Sequence, residues 1–353
     1  MKLIIYSRQD IETRLRHRPH ETKLGEKVCV MDDEKNLQAS LQKSSARYVL
    51  LGLPEDIGVR ANFGRGGAYS AWQPSLNTIL NLQSNLSLTG EEILVLGHVD
   101  FSEEMEAVRD FDFHREENLQ AARQLVQKMD EFVHPVIKTI IASGKELVVI
   151  GGGHNNSYPV IRGASEGLMQ SGRITSNGIH AVNLDAHSDL RPLEGRHSGN
   201  GFSYAINEGL LARYAVIGLQ EIFNPEFVFE KLQKHADKIR VFSFDDMYIR
   251  NQFTFDEALK NAAAFLQSGF TGIEMDMDTI QNIPSSAKTS CGISTIDARR
   301  FVYHFASQLQ IPYLHIAEAA PVLSHIKTDL KTGKLIAYLV TDFIKARNQF
   351  YLS

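Results

Sequence analysis

The sequence predicts an α/β fold, a three-layer, doubly wound, mostly parallel sheet of eight strands with helices on both faces. Three observations predict it. Eight short apolar runs recur along the chain, longer segments with apolar residues every three or four positions lie between them, and no Pro/Gly/Ser-rich linker divides the whole. Apolar strands that alternate with amphipathic helices require a parallel sheet covered on both faces. A closed eight-stranded barrel satisfies the same strand count and is the alternative.

The elements follow in order. Residues 1–45 read as an extension packed on the main domain, and residues 46–353 as one domain with no internal repeat. The first strand is RYVLLGL (47–53), and EILVLGH (92–98) comes next. Helical periodicity then runs over 115–143 and leads into ELVVIGG (146–152). HAVNL (180–184), YAVIGL (214–219) and IRVFSF (239–244) follow, then a helix over 255–268 and the strand TGIEMDM (271–277). A last pair, helix 296–309 and strand PYLHIAE (312–318), completes the pattern.

Composition narrows the function. The 353 residues are 43% hydrophobic and 22% charged, as in an ordinary globular protein, and the net charge of −5 gives no reason to expect nucleic acid. No apolar run is long enough to span a bilayer, so no membrane association is expected. The N-terminus has a short apolar patch without a signal-peptide h-region or cleavage site. Cys29 and Cys291 form neither a disulfide framework nor a thiolate metal site. A reducing cytoplasm is the expected location.

Chemistry is concentrated at four strand ends. VVIGGGHNN places His154 after the third strand, and VNLDAHSDLRP places Asp185, His187 and Asp189 after the fourth. TGIEMDMD places Asp276 and Asp278 at the end of the seventh, and LHIAEAAP places Glu318 at the end of the eighth. In extended backbone the i, i+2, i+4 spacing of Asp185, His187 and Asp189 turns all three to one side. Parallel sheets build their sites at the carboxyl ends of strands, so these distant residues meet in one crevice.

Each motif has a plain structural explanation by itself. GGGH suits a tight strand-to-helix turn and does not match the dinucleotide pattern GxGxxG; DMD suits a solvated strand end; Glu318 suits an ion pair. Four such coincidences at four strand ends are not explained that way. With no thiolate and a majority of carboxylates, the donor set is harder than a structural zinc site, so Mn²⁺ is the expected ion, with Ni²⁺, Co²⁺, Fe²⁺ and Zn²⁺ as alternatives. Four aspartates exceed the need of one divalent ion, which points to a binuclear centre. His114, His134, His304 and His315 lack this context and read as structural or exposed.

From about residue 47 onward the chain resembles the ureohydrolases, a family that comprises arginase, agmatinase, formimidoylglutamase and relatives. GLPEDIGVRANFGRGGAYSAWQP (52–74) is similar to the family's early glycine-rich segment, GGGH, DAHSD and MDMD to its metal motifs, and EAAP (318–321) to the place of its substrate-gripping Glu. The resemblance implies an arginase-like parallel sheet and a catalytic domain over 46–353. It implies one ion on His154, Asp185, Asp189 and Asp276, and a second on His187, Asp185, Asp276 and Asp278, with Asp185 and Asp276 shared. Water activated between the ions would attack an amidine or guanidine carbon, Asp189 would relay its proton to the leaving amine, and Glu318 would hold the cationic NH₂ group.

Departures from arginase narrow the substrate. Phe202 stands where arginases carry a proton-shuttling His, and Arg191 where they carry an Asn. Both resemble the formimidoylglutamase branch, in which Arg191, with Ser198 and Asn200 of GRHSGNG, would receive a substrate carboxylate. An ion pair between Arg191 and Glu194 is the structural alternative. Gln281 replaces a common third Asp, which bears on loop geometry and not on the matched ligands. The expected activity is hydrolysis of N-formimidoyl-L-glutamate to L-glutamate and formamide in histidine breakdown. Arginase, agmatinase or another urea-releasing ureohydrolase is the alternative, and a non-catalytic metal-binding relative is a further one. A small amidine or guanidino molecule is the expected partner, and self-association is left open.

Overall fold

The computed structural model describes residues 1–31, 36–324 and 330–352. Each of the eight apolar runs forms a strand, and a ninth strand is added at the N-terminus. In chain order they are β1 (Lys2–Ile5), β2 (Tyr48–Gly52), β3 (Ile93–Asp100), β4 (Glu146–Ile150), β5 (Ile179–Leu184), β6 (Leu211–Leu219), β7 (Ile239–Ser243), β8 (Thr271–Asp276) and β9 (Tyr313–Ala317). They form one open sheet in the order β1-β3-β2-β4-β9-β8-β5-β6-β7, not a barrel. The strand count of eight is therefore corrected to nine. The short apolar patch at the N-terminus pairs antiparallel with β3, from Lys2 against Asp100 to Ile5 against Gly97. Four residues are too few to show a periodicity in sequence, and an edge strand need not be apolar on both faces.

Period-two alternation divides the strand residues between two cores. Tyr48, Leu50, Val148, Ile150, Val182, Leu184, Ile273 and Met275 face one side, where they meet residues of helices Trp72–Leu80, Phe255–Leu266 and Thr295–Gln308. Val49, Leu51, Leu147, Val149, Ala181, Tyr214 and Val216 face the other, against helices Glu116–Ala142 and Ser157–Gln170. Both faces of the inner strands are thus dry, which is why the runs read as continuously apolar. The helix bounds expected at 115–143, 255–268 and 296–309 differ from those observed by at most two residues.

The topology gathers the chemistry. β4, β9, β8 and β5 are contiguous at the centre of the sheet, and they are the four strands that carry the acidic and histidine motifs at their carboxyl ends. Among the described residues, no helix is long and apolar enough to cross a membrane.

Candidate metal centre

Local backbone geometry brings the side chains to one point. After β4 the chain turns through Gly151 and Gly152, at φ +91° and +83°, and a Cβ on Gly152 would lie 2.6 Å from the Leu53 carbonyl oxygen. Only glycine fits such a turn, and it delivers His154 over the sheet. Glu55, fully buried, pins the turn by accepting from Gly153 N at 3.1 Å and Asn156 Nδ2 at 2.6 Å. Asp189 (φ +50°) and Glu318 (φ +64°) are non-glycine residues in the left-handed region, where backbone strain gathers at functional sites.

Among the described residues, two groups of ligand-type atoms lie at the cleft, and a third, His154, Glu274 and His315, lies behind them. His154, Asp185, Asp189 and Asp276 form the first, and Asp185, His187 and Asp278 the second, with the atoms of each within 4.8 Å of one another. His154 Nδ1 lies 2.9 Å from Asp189 Oδ2, 3.2 Å from Asp276 Oδ2 and 3.4 Å from Asp185 Oδ2. His187 Nδ1 lies 3.5 Å from both Asp185 Oδ1 and Asp278 Oδ2. Asp185 thus faces both groups. Asp276 faces the first with Oδ2, while its Oδ1 accepts Asp278 N at 2.8 Å. One sequence expectation is corrected here. β5 ends at Leu184 and the chain bends at Ala186 and His187, so Asp185, His187 and Asp189 do not lie along one extended face. The bend lets His187 and Asp189 serve different groups.

Electrostatics fits this donor set to cations. Asp185, Asp189, Asp276, Asp278 and Glu318 crowd around two imidazoles in a buried cleft. Burial, then Asp278 and Asp185, push Asp276 well above the carboxylate range. Burial and the Asp185 charge push Asp189 up to about 6, and burial and the Asp278 charge push Glu318 up to about 8. Burial would raise Asp185 too, but His154 and His187 outweigh it and hold it at about 2. Among the described residues, His154 Nδ1 and Asp278 Oδ1 are buried without a hydrogen-bond partner. Excess negative charge with orphaned ligand atoms is what divalent ions would satisfy.

The cleft above the centre has a volume of about 230 Å³ and is lined by Asn62, Phe63, Arg191, Ser198, Phe223, Ser286 and Glu318 among others. That size suits a small molecule. Glu318 accepts His154 N through Oε1 at 2.8 Å and lines the cleft with its carboxyl group. Arg191 is half-exposed at the cleft and paired to Glu194, with Nη2 at 3.1 Å and Nε at 3.3 Å from Oε1. The ligand role and the ion pair foreseen for Arg191 therefore concern one placement. Ser198 lines the cleft and accepts Asn62 Nδ2 at 3.3 Å.

Asn200 is placed differently from the sequence expectation. It is fully buried and absent from the cleft wall. Its Oδ1 accepts Arg196 Nη1 at 2.8 Å and His197 N at 3.1 Å, and its Nδ2 donates to Pro192 O and Gly195 O. No valence remains for a substrate, so Asn200 shapes the loop that carries Arg191 and Ser198. Phe202 lies beneath His154, edge-on at 5.3 Å, and stacks on Tyr214 at 4.4 Å. The side chain of Gln281 is exposed and lines no part of the cleft.

Several contributors escaped the sequence reading. Arg196 anchors the loop that carries Ser198, with Nε on Asp130 Oδ2 at 2.8 Å and its guanidinium against the rings of Tyr158 and Tyr204. Asn62 and Phe223 complete the cleft. His315 is fully buried and pairs with Glu274 directly below His154. Pairing partners that distant carry no local spacing signal.

The family model described as Arginase family matches residues 46–344. A formimidoylglutamase of Streptococcus pyogenes is 24% identical over 283 residues, 78% of this chain and 77% of the relative. The crystal structure of formimidoylglutamase from Bacillus subtilis superposes with a TM-score of 0.69 at 18% identity, covering 95% of this chain and 94% of that one. Trypanosoma cruzi formiminoglutamase with Mn²⁺ gives a TM-score of 0.65 at 20% identity, covering 88% and 97%. These structures share the fold.

Proposed function

The chain belongs to the arginase family, and we propose that it hydrolyses N-formimidoyl-L-glutamate to L-glutamate and formamide with the aid of two Mn²⁺ ions. The observation that carries the substrate is Arg191. Among the described residues lining the cleft it is the one permanently charged cation, and it shares that cleft with Glu318. An acidic substrate with a cationic amidine finds a complementary charge for each end. The naming of several relatives and structural neighbours as formimidoylglutamases supports the same reading.

His154, Asp185, Asp189 and Asp276 would hold one ion, and Asp185, His187 and Asp278, with Asp276 as the second shared carboxylate, the other. Such ions supply Lewis acidity and lower the pKa of water to near neutrality. The chain's residues do the rest. Glu318 holds the amidinium NH₂ by charge-assisted hydrogen bonds, and this cation favours the ionised carboxylate that burial otherwise disfavours. Asp189 takes a proton from the attacking water and delivers it to the departing glutamate nitrogen. Phe223 and Val228 line the cleft as apolar wall and exclude bulk water. Arg191, preset by Glu194, receives a carboxylate, and Ser198 and Asn62 offer further donors.

Arg191 tests the assignment. Arg191→Ala is expected to lower kcat/KM on N-formimidoyl-L-glutamate by about 10- to 150-fold, the equivalent of roughly 1.5–3 kcal/mol for a hydrogen bond to a charged group. The loss is moderate because the side chain is half-exposed and already shared with Glu194. KM should carry most of it. On N-formimidoylglycine, which lacks the second carboxylate, the same variant should lose several-fold less. Equal losses on both substrates would remove Arg191 from substrate recognition.

A further inference from the structure

Below His154, on the side away from the cleft, lies a buried polar cluster with no part in the chemistry above. Glu274 is on β8, two residues before Asp276 and on the same face of the strand, and Tyr313 and His315 are on the neighbouring β9. All three are fully buried. Glu274 Oε1 accepts Tyr313 Oη at 2.7 Å, and Oε2 accepts His315 Nδ1 at 2.7 Å. The same Oε2 lies 3.4 Å from His154 Nε2, a nitrogen that is buried without a hydrogen-bond partner among the described residues.

A neutral imidazole carries one proton, and its neighbours decide which nitrogen holds it. At His154 two sets of carboxylates compete. Asp185, Asp189 and Asp276 face Nδ1 at 2.9–3.4 Å, and Glu274 alone faces Nε2. Unopposed, the three aspartates would draw the proton to Nδ1 and remove the lone pair an ion needs. We infer that Glu274, braced by His315 and Tyr313, is a positioning residue that takes the Nε2–H of His154 and leaves Nδ1 free as the ligand nitrogen. This inference rests on the reading that His154 holds an ion. Outer partners that orient a ligating His in this way typically contribute about 10- to 100-fold to metal affinity.

The test is Mn²⁺ binding to the 353-residue chain, measured by equilibrium dialysis with electron paramagnetic resonance, alongside the Tm of the metal-free protein. Glu274→Gln is expected to weaken one of two ions by about 10- to 100-fold and leave the other near its wild-type affinity. At limiting Mn²⁺ the spin-coupled pair signal should give way to an isolated-ion signal, with the metal-free Tm changed by only a few degrees. His315→Asn, which keeps a donor near the Nδ1 position, should bind both ions as the wild type does, whereas His315→Leu should reproduce the Glu274→Gln loss. Wild-type affinity for both ions in Glu274→Gln would overturn the inference. So would equal weakening of both ions with a lowered metal-free Tm, or His315→Asn and His315→Leu behaving alike. Wild-type protein that binds no divalent ion would overturn the metal-centre reading itself, an outcome distinct from all of these.

Discussion

Asp185→Asn is expected to release both ions and to lower kcat by at least about 10⁴-fold, equivalent to roughly 5.5 kcal/mol of lost transition-state stabilisation. Among the described residues, Asp185 is the one side chain common to the two groups at the cleft, with Oδ2 toward His154 and Oδ1 toward His187. Its carboxylate is held ionised by those two histidines, at about 2, against the cost of burial. An amide removes the charge and one acceptor together, and Oδ1 and Oδ2 already accept His187 N and Asn183 Nδ2. Each ion would lose a charged donor, and the pair one of the two carboxylates they share. Metal analysis should find fewer than one Mn²⁺ per chain under conditions that load the wild type with two. Retention of both ions, or of a tenth of the activity, would show that Asp185 is not shared.

Asp189→Asn is expected to separate proton transfer from metal binding. The variant should lose about 10²- to 10⁴-fold in kcat at saturating Mn²⁺, the usual contribution of a positioned general acid–base, with little change in KM. An amide oxygen can still serve as a ligand but cannot carry a proton. The backbone should tolerate the change, because Asn accepts the left-handed conformation at φ +50° as readily as Asp does. Weaker metal binding is expected too, since Asp189 Oδ2 belongs to the first group, so the rate must be read with both ions bound. A near-normal rate at full occupancy would assign the relay elsewhere.

The parts of this molecule that sequence revealed are those that repeat or cluster. The strands were legible because residues such as Val148, Val149 and Ile150 are buried on both faces of a central strand, and so form unbroken apolar runs. The candidate site residues were legible because GGGH, DAHSD, MDMD and EAAP each end such a run. β1 was not, since its four residues at a sheet edge, one exposed and three half-buried, carry too little pattern. Asn200 misled for a different reason. Its neighbours Ser198 and Gly199 line the cleft, but a one-residue step turns its amide inward to Arg196, Pro192 and Gly195. His315 lacks the strand-end context and reads as structural, and it is buried as that reading expects. Its partner Glu274 is 41 residues away and meets it only through the pairing of β8 with β9. Sequence spacing reports what one strand end offers, and tertiary pairing decides what stands behind it.

Product identity decides which reaction the cleft performs. Protein loaded with Mn²⁺ and supplied separately with N-formimidoyl-L-glutamate, L-arginine and agmatine should release formamide and L-glutamate from the first and little or no urea from the other two. Urea from arginine or agmatine at a higher kcat/KM than formamide from N-formimidoyl-L-glutamate would contradict the substrate assignment, and no product from any of the three with both ions bound would contradict the account of the cleft as a hydrolytic site.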